Sequence, residues 1–115
     1  MDTEKMKNIK NANFNIGQVV KHKYYPFRGV VFDIDPEYAN TEEYLMSIPQ
    51  KIRPTKDQPF YHLLAENSET EYIAYVSEQN LELDDSDEPI CHDEINNIFS
   101  EYIDGSYKLL NNLKH

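Results

Sequence analysis

The sequence predicts a mostly β fold: five antiparallel strands in a small barrel or strongly bent sheet, closed by a C-terminal α-helix. Three observations lead there. Short runs rich in Val, Ile, Tyr and Phe recur between Gly, Pro, Asn and Asp clusters, which is how strands separated by turns read. The length of 115 residues is that of one domain, able to bury roughly 65% of its unfolded surface. Ile95, Ile98, Phe99 and Tyr102 then recur at helical spacing, with Leu109 and Leu113 continuing the stripe if Gly105 does not stop the helix.

Residues 1–13 are polar and rich in Lys and Asn, without helix or strand periodicity, and read as a flexible basic arm. A first strand is expected over Gly17–Lys23, with Phe14 and Ile16 packing just before it. Tyr24-Tyr25-Pro26-Phe27 supplies the turn, since Pro26 presets φ and donates no ladder hydrogen bond. The second strand, Gly29–Asp35, places Val30, Phe32 and Ile34 on one face and Val31, Asp33 and Asp35 on the other if it is regular. Pro36 ends it.

The stretch Glu37–Gln58 is too long for an ordinary connection. Within it, Asn40-Thr41-Glu42-Glu43 reads as a capping box that starts a helical turn, with Asn40 as the cap. Phe60–Glu66 and Glu71–Ser77 form a hairpin around Asn67-Ser68-Glu69-Thr70, and Leu81-Glu82-Leu83 adds a short edge strand. Residues 84–92 read as an acidic linker and 93–115 as an amphipathic helix whose apolar face must be covered.

Four blocks come in fixed order: Phe14–His22, Tyr25–Pro36, Gln58–Leu64 and Tyr75–Leu81. Together they resemble the HspQ family of small heat shock proteins, also catalogued as the YccV-like hemimethylated DNA-binding domain, over residues 14–83. The resemblance implies an SH3-like barrel. Within the blocks, Gly17, His22, Gly29, Asp33, Asp35, Pro36, Tyr61 and His62 are family-motif positions with structural roles. The resemblance also implies a non-enzymatic stress and quality-control factor that binds an ATP-dependent Lon-type protease and promotes degradation of selected or denatured substrates. Its alternative is a hemimethylated DNA-binding protein. Small homo-oligomers are a further implication.

Charge weighs on both readings. The chain carries a net −10, yet residues 1–28 hold six Lys/Arg against two acids, a balance of +4, so the other 87 residues carry −14. Seven acids and no Lys or Arg lie within Glu82–Glu94, which turns that stretch away from a phosphate backbone. Only weak, salt-sensitive contact with DNA is expected. An acidic module suits a protein partner better, which favours the Lon-type reading over DNA binding.

One constellation points outward. Lys21, Lys23 and Arg28 flank Tyr24, Tyr25 and Phe27 at the predicted hairpin tip, the mixture of cations and stacking faces used by nucleic-acid binders and by protein hot spots. No comparable signal marks a catalytic centre. His62 has no second group nominated by spacing, and Asp35 before Pro36 suits a turn acceptor better than a paired acid. The acidic run Asp84–Glu88 lacks the glycine and distal glutamate of a calcium loop, and Cys91-His92 is a single pair rather than a zinc set. No cofactor and no metal are expected. The one cysteine forbids an intramolecular disulfide, no apolar run approaches 18 residues, and a cytoplasmic protein with no membrane partner is expected. The abundance of Asn, Lys, Ile and Tyr points to an AT-rich bacterial genome.

Overall fold

The computed structural model of the protein describes residues 12–113. Five strands form one antiparallel sheet: β1 (Val19–His22), β2 (Arg28–Asp35), β3 (Phe60–Glu66), β4 (Glu71–Ser77) and β5 (Leu81–Leu83), in the order β4-β3-β2-β1-β5. The sheet is open, with β4 and β5 as its two edges. The expected five antiparallel strands are present. The expected closure into a barrel is not.

Strand β2 is buried from both sides, and this organises the molecule. Val30 and Val31 are neighbours in sequence and both fully buried, each in a different apolar cluster. One cluster gathers Phe14, Val20, Val31, Tyr61, Leu63, Ala65, Val76 and Leu81. Across the sheet, Val19, Val30 and Leu64 pack with Ile90, Ile95, Phe99 and Tyr107 from the C-terminal part. Gly29 sits on β2 directly against the β3 backbone. A Cβ there would lie 2.8 Å from the Leu64 carbonyl oxygen and 3.1 Å from Ala65 Cα, so the approach requires glycine.

A regular alternation along β2 is interrupted at Phe32. Val31 pairs with Leu63, but His62 pairs with Asp33, so Phe32 is the extra residue of a β-bulge. The predicted single face of Val30, Phe32 and Ile34 is therefore corrected. Phe32 stays with the Val30 cluster, whereas Ile34 crosses to pack with Val31. A bulge changes parity, and nothing in an apolar run announces it.

The connection after β2 carries helix α1 (Glu42–Ser47) and a 3-10 turn over Gln50–Ile52. Its cap is one residue later than predicted: Thr41 Oγ1 accepts the Tyr44 N–H at 3.1 Å, while Asn40 Oδ1 accepts that of Thr41. The predicted C-terminal helix shrinks to one turn, α2 (Ile95–Ile98), followed by a hairpin of β6 (Phe99–Ile103) and β7 (Ser106–Leu109). The reason is Asp104-Gly105. Both have positive φ, 52° and 83°, as a two-residue type I′ turn requires, and an Asp-Gly pair between β-prone runs favours that turn over helix. The hairpin docks on the start of the sheet through backbone bonds from Tyr107 N–H to Gly17 O, 2.6 Å, and from Val19 N–H to Gly105 O, 3.2 Å. Gly17 has φ +96°, and a Cβ would meet the Tyr107 carbonyl oxygen at 2.1 Å.

The basic arm lies outside the described residues except for its end. Ala12 packs against the first cluster, and Asn13 N–H donates to Glu78 Oε1 at 2.8 Å. Among the described residues, no helix is long and apolar enough to cross a membrane.

Candidate nucleic-acid interface

The turn between β1 and β2 is built around His22. Its side chain is buried under the turn, and Nδ1 accepts the backbone N–H groups of both Tyr24 and Tyr25 at 3.0 Å. A nitrogen that accepts two N–H bonds carries no proton, so the ring is the neutral Nε2–H form. Burial also pushes the His22 pKa below its ordinary value, in agreement with that geometry. The ring stacks on Tyr25, with centroids 4.8 Å apart and an interplanar angle of 27°, and lies 5.0 Å from Phe27. His22 thereby fixes the turn so that Tyr24 and Tyr25 remain 60% and 44% exposed, with Lys23 exposed beside them. Phe27 turns inward onto the first cluster.

The other two predicted cations are engaged elsewhere. Arg28 Nη1 donates to Asp84 Oδ2 at 3.0 Å and to Ser86 Oγ at 2.6 Å, and Nη2 donates to the carbonyls of Glu88 and of Pro89, the latter at 2.7 Å. Its Nε lies 3.2 Å from Glu66 Oε1 but is not aligned for a hydrogen bond, so that contact is coulombic. Arg28 is the clamp that gives the acidic segment its path. Lys21 lies 3.5 Å from Asp85 and 3.7 Å from Glu82, and Asp85 is the main cause of its raised pKa. Arginine read from sequence as an outward cation is thus half of an ion-pair network, because its hydrogen-bond partners arrive from more than fifty residues downstream.

Sequence reasoning missed a second basic element. Residues 44–56 contain Lys51, Arg53 and Lys56 with no acid among them. The local charge was legible, but only the fold brings this segment to the turn. Ile48, Pro49 and Ile52 line a cavity of about 240 Å³ together with His22, Tyr25 and Phe27. Arg53 holds the segment by donating to the Ile48 and Met46 carbonyls, and Lys56 pairs with Glu42. Lys51 is exposed on the 3-10 turn.

The remaining motif residues tie this architecture together. His62 Nε2 is 2.9 Å from Asp35 Oδ2, which also accepts the Tyr75 hydroxyl proton at 3.0 Å. The same hydroxyl accepts the Ala39 N–H, and Tyr44 OH donates to the Tyr75 carbonyl, so this cluster pins the connection and α1 to the sheet. Burial and the Asp35 hydrogen bond push the Tyr75 pKa upward. Tyr61, fully buried, donates to Glu78 Oε1 at 2.8 Å and accepts the Phe14 N–H. Asp33 Oδ1 accepts the Ile34 N–H. Asp33, Asp35 and His62 offer ligand atoms within 4.8 Å of one another, a set that could take a divalent cation. Two cavities flank the β1–β2 turn, and neither is lined by His62 or Asp33.

A family model described as "Hemimethylated DNA-binding protein YccV like" matches residues 12–106. The chain belongs to the YccV-like family. The match runs past the five-stranded sheet and takes in the acidic segment, α2, β6 and the Asp104-Gly105 turn. Similar curated proteins are named F-box only protein 21, from Mus musculus and Homo sapiens, each 30% identical over 99 residues and 85% of this chain. The chain spans about 15% of the length of those relatives. No solved structure matches it.

Proposed function

We propose that this YccV-like domain is a non-enzymatic DNA-binding module that prefers hemimethylated duplex and contacts it through the β1–β2 turn. The single observation that carries the reading is the family's own description, joined to a turn that presents Lys23, Tyr24 and Tyr25 from a rigid base. With Arg28 and Lys21 engaged by acids, few phosphates are contacted. Two or three contacts give a slope of log K against log salt of about −2 to −3 and micromolar or weaker affinity at physiological salt. The extra methyl group of one strand lies in the major groove, where an exposed tyrosine ring offers apolar contact.

Fluorescence anisotropy of a labelled hemimethylated duplex across a salt series tests this. Lys23→Glu combined with Tyr25→Ala abolishes binding in a folded protein if the turn is the interface; unchanged binding overturns the assignment.

A second reading is favoured by the occupied cations. A turn that exposes two tyrosines and a proline beside a single lysine, on a chain of net −10, suits a protein surface. In that reading the domain binds a Lon-type protease and raises its activity on selected or denatured substrates by differential binding, with no chemistry of its own. A purified protease that degrades its substrates equally fast with and without this protein removes it.

A further inference from the structure

The bulge at Phe32 decides which side chains stand over His62. With Val31 paired to Leu63, an unbroken register would set Phe32 opposite His62 and send Asp33 to the other face. The extra residue sets Asp33 opposite His62 instead, and Asp35 follows on the same face. Ligand atoms of Asp33, Asp35 and His62 then all lie within 4.8 Å of one another. Bulges recur where a strand re-aims side chains toward a site.

The spacing suits a cation. His62 Nε2 and Asp35 Oδ2 are 2.9 Å apart. Metal bonds of about 2.0–2.2 Å to an imidazole nitrogen and a carboxylate oxygen, set at right angles, separate those two atoms by about 2.8–3.0 Å. An ion can therefore replace the hydrogen between them without moving either strand. Both carboxylates are also oriented from outside, since the Tyr75 hydroxyl donates to Asp35 Oδ2 at 3.0 Å and the Ile34 N–H donates to Asp33 Oδ1 at 2.9 Å. Among the described residues, no hydrogen bond occupies Asp35 Oδ1 or Asp33 Oδ2, so each acid keeps an oxygen for a ligand. All three side chains are reached from solvent: Asp33 is exposed, and those of His62 and Asp35 keep 29% and 24% of their surface.

We propose that Asp33, Asp35 and His62 bind one first-row divalent transition-metal ion, with water completing its coordination. One imidazole beside two carboxylates favours Zn²⁺, Co²⁺ or Mn²⁺ over Mg²⁺ and Ca²⁺, which take oxygen ligands. Facing a carboxylate, Nε2 carries the hydrogen in the metal-free pair; on binding, Nε2 ligates the ion and the proton moves to Nδ1. The Tyr75 hydroxyl that holds Asp35 also accepts the Ala39 N–H, so the ion ties β2 and β3 to the 37–58 connection. The assignment does not depend on which partner the β1–β2 turn takes.

Calorimetric titration with ZnCl₂ and with MgCl₂, in a buffer that binds neither metal, tests this. Zn²⁺ is expected to saturate at one ion per chain, at least about 10-fold more tightly than Mg²⁺. Asp33→Asn, isosteric and at an exposed side chain, keeps the fold and weakens Zn²⁺ binding about 10-fold or more, as does His62→Gln, whereas Cys91→Ser leaves it unchanged. In ¹⁵N spectra of the Zn²⁺ complex, His62 Nε2 has lost its proton and Nδ1 has gained one. Zn²⁺ binding as tight in Asp33→Asn as in the wild type, or lost in Cys91→Ser, puts the ion elsewhere and overturns the site. Zn²⁺ that binds no tighter than Mg²⁺, or that never saturates at one ion per chain, overturns it as well. So does an Nε2 that stays protonated in the complex, because His62 is then not a ligand.

Discussion

His22 shows how one residue reaches from sequence chemistry to the binding surface. Its ring is neutral in the fold because Nδ1 accepts two N–H bonds and burial disfavours the cation. A histidine whose folded pKa is lowered stabilises the fold fully above its unfolded value of 6.5, and that contribution is lost as pH falls through 6.5 toward the folded pKa. An NMR titration of the His22 ring is expected to give a pKa below 6.5, with the turn amides of Tyr24 and Tyr25 shifting in step; a value above 6.5 contradicts the turn geometry. Arg28 gives the opposite lesson. Arg28→Ala leaves the nearly buried carboxylate of Asp84 without its counter-charge, and a loss of about 2–3 kcal/mol in denaturant unfolding is expected. Substitutions at Arg28 therefore test the fold and cannot serve as clean probes of a contact surface. Sequence placed Arg28 correctly at the end of the turn, but not its partners, because residues 84–89 are polar and aperiodic and their path is set only by the clamp itself.

At the scale of elements, the strands of the main sheet were legible because alternation, Gly and Pro mark them locally. The bulge at Phe32 and the double-sided burial of β2 were not, since both depend on what covers the second face. That cover is the C-terminal hairpin. Its apolar residues happen to fall at helical spacing, while Asp104-Gly105 carried the turn signal that spacing masked. Three unfolding measurements follow. Leu63→Ala, deep in the first cluster, is expected to cost about 2–5 kcal/mol, and Phe32→Ala, half-buried at the bulge, distinctly less. Equal costs would contradict the register. Gly29→Ala is expected to cost about 1–3 kcal/mol because the new Cβ meets backbone rather than a movable side chain; a neutral outcome would mean that β2 and β3 lie farther apart.

At the scale of the whole molecule, charge and function pull in different directions. The chain is acidic, and much of the acid lies in Glu82–Glu94, where Arg28 and Lys21 draw it against the sheet. Among the described residues, what remains for a polyanion near the turn is Lys23, Lys51 and two exposed tyrosines, which suits selectivity rather than strength. The family and its five antiparallel strands could be read from the motif blocks and turn signals; the cavity beside the turn could not, because Tyr25, Tyr44 and Tyr75 line it only after the 37–58 connection folds back. The measurement that bears most directly on the central claim is equilibrium binding, at one moderate salt concentration, to three duplexes of one sequence: unmethylated, hemimethylated and fully methylated. The account predicts weak binding with the hemimethylated duplex preferred over both others, and loss of that preference in the Lys23→Glu, Tyr25→Ala protein. Equal affinity for all three, or no binding while a Lon-type protease is stimulated, would contradict it.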